Sequence, residues 1–275
     1  METVRSKHSG FCFGVRKAVD RVLKEIGKKG RSGNIYTLGP IIHNPQMVKM
    51  LKDKGIVPVD DIKDIREGTV VFRTHGIKKE EEEHIRRVGL KSIDVTCPFV
   101  KNVRKHAMYL KKYGYTVVIT GDKNHPEVKS VLSYLDNDGI VLQEPCRIES
   151  RRIGVVSQTT LDRATFTGVV SGLLNGAEEV RVYDTICGST QVRQREAAEL
   201  AGSVDVMLII GGKNSSNTTK LYKIAKKIQP KTYHIETDQD IQHSWFRGAR
   251  TVGLTAGSST PDFIIDLVDR RVKNL

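Results

Sequence analysis

The stretch YTVVITGDKNHPE, residues 115–127, decides the fold. An apolar, β-branched run stops at a glycine, turns through polar residues, and meets a proline where a helical pattern begins. A short apolar strand, a polar turn and a helix make up half of a βαβ unit. The same order recurs in IYTLGPIIHNP (35–45) and in DVMLIIGGKNSSNT (205–218). A second kind of polar loop also follows apolar runs three times: FRTHGI (72–77), VVSQTT (155–160) and LTAGSST (254–260). Three cysteines keep the register. Cys12 and Cys97 are 85 residues apart, and Cys97 and Cys187 are 90 apart. The glycines opening the first loops, Gly39, Gly121 and Gly211, follow these cysteines by 27, 24 and 24 residues. Repetition at a fixed period is the mark of a repeated structural unit. The chain therefore reads as three similar α/β units, residues 1–96, 97–187 and 188–275.

The first unit shows the order within each. Residues 15–28 carry Val15, Ala18, Val19, Val22, Leu23 and Ile26, an i, i+3, i+4 stripe of a helix with one face in a core. A strand over 35–38, a helix over 44–54, strands over 56–59 and 69–73, and a helix over 78–88 follow. The short strand SIDVT then leads into Cys97. Continuous apolar strands alternating with helices predict mainly parallel sheets covered on both faces. Such sheets bind ligands at the carboxyl ends of their strands. All six polar loops and the three cysteines fall at those ends. Units set around a pseudo-threefold axis turn them all toward one central cavity.

Composition narrows the function. The 275-residue chain carries a formal charge of +13, with 38% hydrophobic and 28% charged residues, as in an ordinary globular protein. No apolar run approaches the ~20 residues of a membrane-spanning helix. The start, METVRSKHSGFCFGV, is too polar for a secretory signal. A cytoplasmic protein without membrane attachment is expected. The positive charge leaves nucleic acid, an anionic small substrate or an acidic partner open. Lysine and arginine are dispersed, as in KKIQPK and EEEHIRR, and aromatic residues make up only 6%. That argues against a nucleic-acid surface with interleaved stacking rings.

In a reducing compartment, four widely spaced cysteines more often ligate metal or do chemistry than form a disulfide framework. Cys12, Cys97 and Cys187 each sit where a strand ends and a helix begins. The partial positive charge and free N–H groups of a helix start stabilise a thiolate. Cys146, in LQEPCRIES, is out of register and reads as a plain thiol. The three thiolates suit iron–sulfur or zinc, although the local CxxC spacing of structural zinc is absent. One cysteine from each unit suits a four-iron four-sulfur cluster, with three protein ligands and one iron open to substrate.

The loops bring His43, His75, His125, Thr159, Ser215, Ser216, Asn217, Ser258 and Ser259 to helix starts, where phosphate groups bind. Serine, threonine and asparagine are also the usual helix caps, so each such position taken alone fits either reading. Glu127 has two readings as well: an acid complementing a helix dipole, or a proton donor held protonated in a closed anionic site. Thr159 suits a hydroxyl relay beside it.

Taken together, GFCFGV, IIHNP, THG, DVTCP, KNHPE, SQTT, DTIC, GGKNSSNT and TAGSSTPD stand in an order that resembles the 4-hydroxy-3-methylbut-2-enyl diphosphate reductases of the non-mevalonate isoprenoid pathway. The resemblance runs from residue 10 to about 270, with Val95 and Ser157 as small departures. It implies three α/β domains around a four-iron four-sulfur cluster ligated by Cys12, Cys97 and Cys187. It also implies a diphosphate held by His43, His75, His125, Ser215, Ser216, Asn217 and Ser259. Glu127 matches the proton donor, and Thr159 lies near the substrate hydroxyl. The implied reaction removes that hydroxyl with two electrons and two protons, giving isopentenyl and dimethylallyl diphosphates. Two competing readings remain at this stage: a cluster protein of the quinolinate synthase kind, and a basic RNA-binding protein with a structural metal. The charge of +13 further suggests an acidic ferredoxin- or flavodoxin-type electron donor.

Overall fold

The computed structural model describes residues 1–27 and 34–275. The elements run β1 (Glu2–Arg5), α1 (Phe13–Gly27), β2 (Ile35–Leu38), α2 (Pro45–Asp53), β3 (Ile56–Val59), β4 (Thr69–Phe72), α3 (Lys79–Arg87), β5 (Lys91–Asp94) and α4 (Pro98–Lys112). They continue as β6 (Thr116–Thr120), α5 (Pro126–Ser133), β7 (Ile140–Leu142), β8 (Arg152–Ser157), α6 (Arg163–Leu173), β9 (Glu179–Val182), α7 (Gly188–Ala201), β10 (Val206–Ile210), α8 (Ser216–Ile228), β11 (Thr232–Ile235), β12 (Thr251–Ala256) and α9 (Asp262–Lys273). The elements expected from periodicity are present within a residue or two. The last residue of the helix expected over 15–28 lies outside the described residues.

The strands form three four-stranded sheets, ordered β3-β2-β4-β5, β7-β6-β8-β9 and β11-β10-β12-β1, and every pairing is parallel. Written this way, the three orders are the same. β5, β9 and β1 hold the same edge position, and Cys97, Cys187 and Cys12 follow them. The repeat is thus cut at an unexpected place. Residues 1–12 were expected with the first unit, but β1 pairs with β12, Glu2 opposite Thr251, and completes the third sheet. Without β1 that sheet would have only three strands and an open edge on β12.

By compactness the chain divides into two bodies. One comprises Met1–Arg16, Ile42–Met50 and Gly188–Leu275, with the third sheet. The other comprises Lys17–Ile41 and Leu51–Cys187, with the first two sheets.

The first body buries two clusters. Val206, Leu208, Ile210, Val252 and Leu254 pack against Ile264, Ile265 and Val268 of α9, while Met207 and Ile209 pack against Leu221 and Ala225 of α8. Side chains along β10 thus alternate between two covered faces, and all five are buried.

In the second body α4 follows Cys97 but lies against the second sheet. Its Val103, Ala107 and Leu110 pack on Val117, Ile119 and Val156. Gly154 in β8 allows this close approach, since a Cβ there would stand 2.5 Å from Leu110 Cδ2. Val118, Ile153 and Val155 face the other way, onto Phe166, Val169 and Leu173 of α6. The first sheet buries Leu38, Val70 and Phe72 against Ile77 and Ile85.

Candidate functional site

Each cysteine is fixed by the same backbone contact. The N–H of Cys97 donates to Thr74 O at 3.0 Å, that of Cys187 to Thr159 O at 2.9 Å, and that of Cys12 to Ser258 O at 3.2 Å. The three acceptors lie in the three loops of the second kind. Each cysteine is therefore tied to the end of the neighbouring strand in its own sheet. All three are partly buried and none is in a disulfide. Cys97 is the cap of α4, with Pro98 in the first turn. At Cys12 the N–H of Val15 donates to Sγ at 3.5 Å, and the N–H of Arg16 to the carbonyl at 2.9 Å. A helix-start N–H aimed at sulfur favours the thiolate that a metal needs. Cys146 is exposed, its thiol near Arg147 O.

In the second body the loops bring His75, His125, Glu127 and Thr159 together. His125 caps α5, and its Nδ1 accepts the N–H of Glu127 at 3.2 Å. That leaves the ring's other nitrogen, Nε2, as the donor. The rings of His75 and His125 meet edge to face, 5.4 Å between centroids. Gly76 turns the first of these loops at φ +80°, where a Cβ would also stand 2.7 Å from Ser130 Oγ. Glu127, in the first turn of α5, is 1% exposed. One carboxylate oxygen accepts the N–H of Thr159 at 2.7 Å, and the other accepts its hydroxyl at 2.7 Å. Burial pushes the Glu127 carboxyl up to about 7, against the opposing pull of the two Thr159 donors. An acid poised there is half protonated near neutral pH and is joined to a hydroxyl, which is the arrangement of a proton donor with a relay.

In the first body Ser215 caps α8, its Oγ accepting the N–H of Thr218 at 3.4 Å. Ser216 and Asn217 form the first turn. Asn217 is 3% exposed, and neither polar atom of its amide has a hydrogen-bond partner among the described residues. A buried amide in that condition costs about 1–3 kcal/mol unless a ligand engages it. Ser259 Oγ donates to His43 O at 3.0 Å, which ties the histidine loop to the serine loop. The helix after His43 is capped by Asn44, whose Oδ1 accepts the N–H of Met47 at 2.9 Å. The first loop thus has one more residue before its helix than the loops carrying His125 and Ser215.

Sequence reading passed over three residues. Arg193 is 5% exposed, and its guanidinium donates to Gly10 O at 2.9 Å and to Ser189 O at 3.3 Å. It fastens the backbone two residues before Cys12 to the first turn of α7, two residues after Cys187. A lone arginine in a helix gives no signal for this. Arg73 donates to Gly76 O at 3.2 Å and braces the His75 loop, and its burial holds the guanidinium below its ordinary pKa. Gln46 occupies the second helical position of α2, as Glu127 does in α5 and Asn217 in α8. Alignment of the loops on their helix starts, rather than on their glycines, is the signal that finds it.

Comparison with known proteins gives consistent results. The family described as LytB protein matches residues 3–273. The chain is 47% identical to the 4-hydroxy-3-methylbut-2-enyl diphosphate reductase of Aquifex aeolicus, covering 100% of this chain and 97% of that protein. It is 44% identical to the reductase of the same name from Trichlorobacter lovleyi, over 99% of this chain and 98% of the relative. A solved structure of (E)-4-hydroxy-3-methyl-but-2-enyl diphosphate reductase, described as the terminal enzyme of the non-mevalonate pathway, is 44% identical, with TM-score 0.73 and complete coverage of both chains. The reductase structure from Plasmodium falciparum is 23% identical, with TM-score 0.91 over 100% of this chain and 87% of that one, and shares the fold.

Proposed function

We infer the chemistry of this chain from its family, for it belongs to the LytB proteins and is a reductase of 4-hydroxy-3-methylbut-2-enyl diphosphate. The reaction breaks the allylic C–O bond. Two electrons enter the allyl unit, one proton leaves with the oxygen as water, and the second goes to one or other end of the allyl unit. Isopentenyl and dimethylallyl diphosphates result.

Cys12, Cys97 and Cys187 would hold the four-iron four-sulfur cluster. The observation that carries this is the shared tether: three cysteines at one edge position of three sheets, each with its N–H on a second-loop carbonyl. When bound, such a cluster supplies electrons one at a time and an electrophilic iron without a protein ligand. The residues around it do the rest. His43, His75, His125, Ser215, Ser216, Asn217 and Ser259 would cradle the diphosphate with neutral donors and helix-start N–H groups. The unsatisfied amide of Asn217 and the donor role left to His125 Nε2 support that role. Binding energy from the unreactive diphosphate then positions the allyl end. Glu127 holds the proton, and the Thr159 hydroxyl passes it to the departing oxygen. A reducing cytoplasm suits cysteines outside any disulfide, and among the described residues no helix is long and apolar enough to cross a membrane. Electrons would come from a ferredoxin- or flavodoxin-type donor, for which the charge of +13 is apt.

The test is an assay of the anaerobically purified protein with reduced methyl viologen. It should consume the hydroxylated diphosphate and release both isomeric products. A colourless, inactive preparation after iron and sulfide reconstitution would remove the cluster.

A further inference from the structure

α4 has a second face beside the one it buries. Phe99, His106, Tyr109 and Tyr113 follow one another at helical spacing, with Phe99 44%, Tyr109 38% and Tyr113 50% exposed. The stripe spans about 21 Å at 1.5 Å per residue, and it begins two residues after Cys97. Tyr183, just beyond β9, joins it. Ring centroids are 4.5 Å apart for Tyr113 and Tyr109, 6.3 Å for Tyr109 and Tyr183, and 4.0 Å for Tyr183 and His106. Tyr183 precedes Cys187 by four residues, a reach of at most about 14 Å. The rings thus descend from an exposed helix end toward two of the three cysteines, all within one body of the protein.

The rim of this face is positive. Lys112 Nζ stands 5.9 Å from the Tyr113 ring centre, and Arg181 lies 5.9 Å from that of Tyr109. Lys105 is exposed beside His106. Among the described residues, Lys105, Lys112 and Arg181 take part in no ion pair. The neighbouring acids are already engaged: Glu178 by Arg151 at 2.7 Å, Glu179 by Arg152 at 2.9 Å and Asp184 by Arg163 at 2.6 Å. Exposed aromatic anchors ringed by cations outside any close ion pair fit an acidic protein surface. They suit single-stranded RNA less well, because the stacking of His106 on Tyr183 takes up one ring face of each that a base would use.

We propose that this face of α4, with Arg181 and Tyr183, docks an acidic one-electron carrier protein, which gives up one electron at each of two encounters per turnover. The proposal rests on reading Cys97 and Cys187 as cluster ligands. It puts the entry of electrons on the second sheet, by the aromatic ladder.

The test compares wild type with a triple variant, Lys105→Glu, Lys112→Glu and Arg181→Glu, as anaerobically purified full chains. The probes are a purified acidic ferredoxin and reduced methyl viologen. In the variant, Kd and KM for ferredoxin should rise about tenfold or more, with a flatter salt dependence, while the viologen rate stays within about twofold. A second variant, Tyr109→Ala with Tyr113→Ala, keeps the charges and should weaken ferredoxin binding by about tenfold. Unchanged ferredoxin affinity in both variants overturns the proposal. So does equal loss of rate with both donors, or transfer of the effect to RNA binding or self-association. If wild type oxidises neither donor, the cluster reading fails. The ferredoxin titration still decides the face, since binding lost in the variants supports it and binding retained does not.

Discussion

At the scale of single residues, Glu127 is the most informative. Its carboxyl is buried, doubly bonded to Thr159, and shifted up to about 7. A carboxyl raised above its unfolded value of 4.5 binds its proton more tightly in the native state. Its stability contribution is therefore intact below pH 4.5 and is lost as pH rises through 7. In metal-free protein without substrate, chemical denaturation should show wild type losing about 3 kcal/mol more than a Glu127→Gln variant across that window. Glu127→Gln should flatten that dependence, and it should lower turnover by roughly two to four orders of magnitude with normal cluster content. Near-normal turnover in the Gln protein would leave Glu127 a merely structural acid. Cys97→Ser should abolish the visible absorbance of the cluster, while Cys146→Ser, at an exposed loop, should keep it. Full absorbance in Cys97→Ser would sink the ligand assignment. The placement of Glu127, Thr159 and the cysteines at the strand-end loops was legible because their types are unusual for their place in the repeat. Arg193 was not, since its role comes from a carbonyl at Gly10, far off in sequence.

At the scale of elements, helices and strands were legible almost throughout. Their apolar periods are clean, and Pro45, Pro98 and Pro126 mark three helix starts. The extra residue before α2 was hidden, because it shows only when the caps are compared: Asn44 against His125 and Ser215. The closeness of α4 to β8 was also hidden, since a glycine in a strand does not say what lies above it. Gly154→Ala would drive a methyl against Leu110 and should destabilise by about 1–3 kcal/mol through overpacking. Urea denaturation measures this, and an unchanged midpoint would mean that α4 shifts freely. Ser215→Ala removes the cap of α8 and should cost about 0.5–2 kcal/mol. Its affinity for the diphosphate should also fall, in a titration that a cap alone would leave unmoved.

At the scale of the whole molecule, the threefold repeat was legible from loop and cysteine spacing, but its closure was not. β1 reads ETVR, a short polar segment whose partner lies at the far end of the chain. Only pairing across that separation gives it meaning, and no local pattern encodes such a pairing. Deletion of Met1–Arg5 should leave the first two sheets folded and open β12 as a bare edge. Limited proteolysis should then cut the third sheet selectively, and uniform resistance would contradict the role of β1. The same closure sets a timetable for synthesis. The first strand to leave the ribosome is the last to find its place, because Glu2 to Arg5 must wait for Thr251 to Leu254. At about 5–20 residues per second, that wait is on the order of 10–50 s. Through it Cys12 travels on an unanchored arm while Cys97 and Cys187 already sit on finished sheets. With Cys12 as a ligand, as proposed, a nascent chain stalled before residue 251 should take up no stable cluster, and stable iron uptake by such a stalled chain would count against that role.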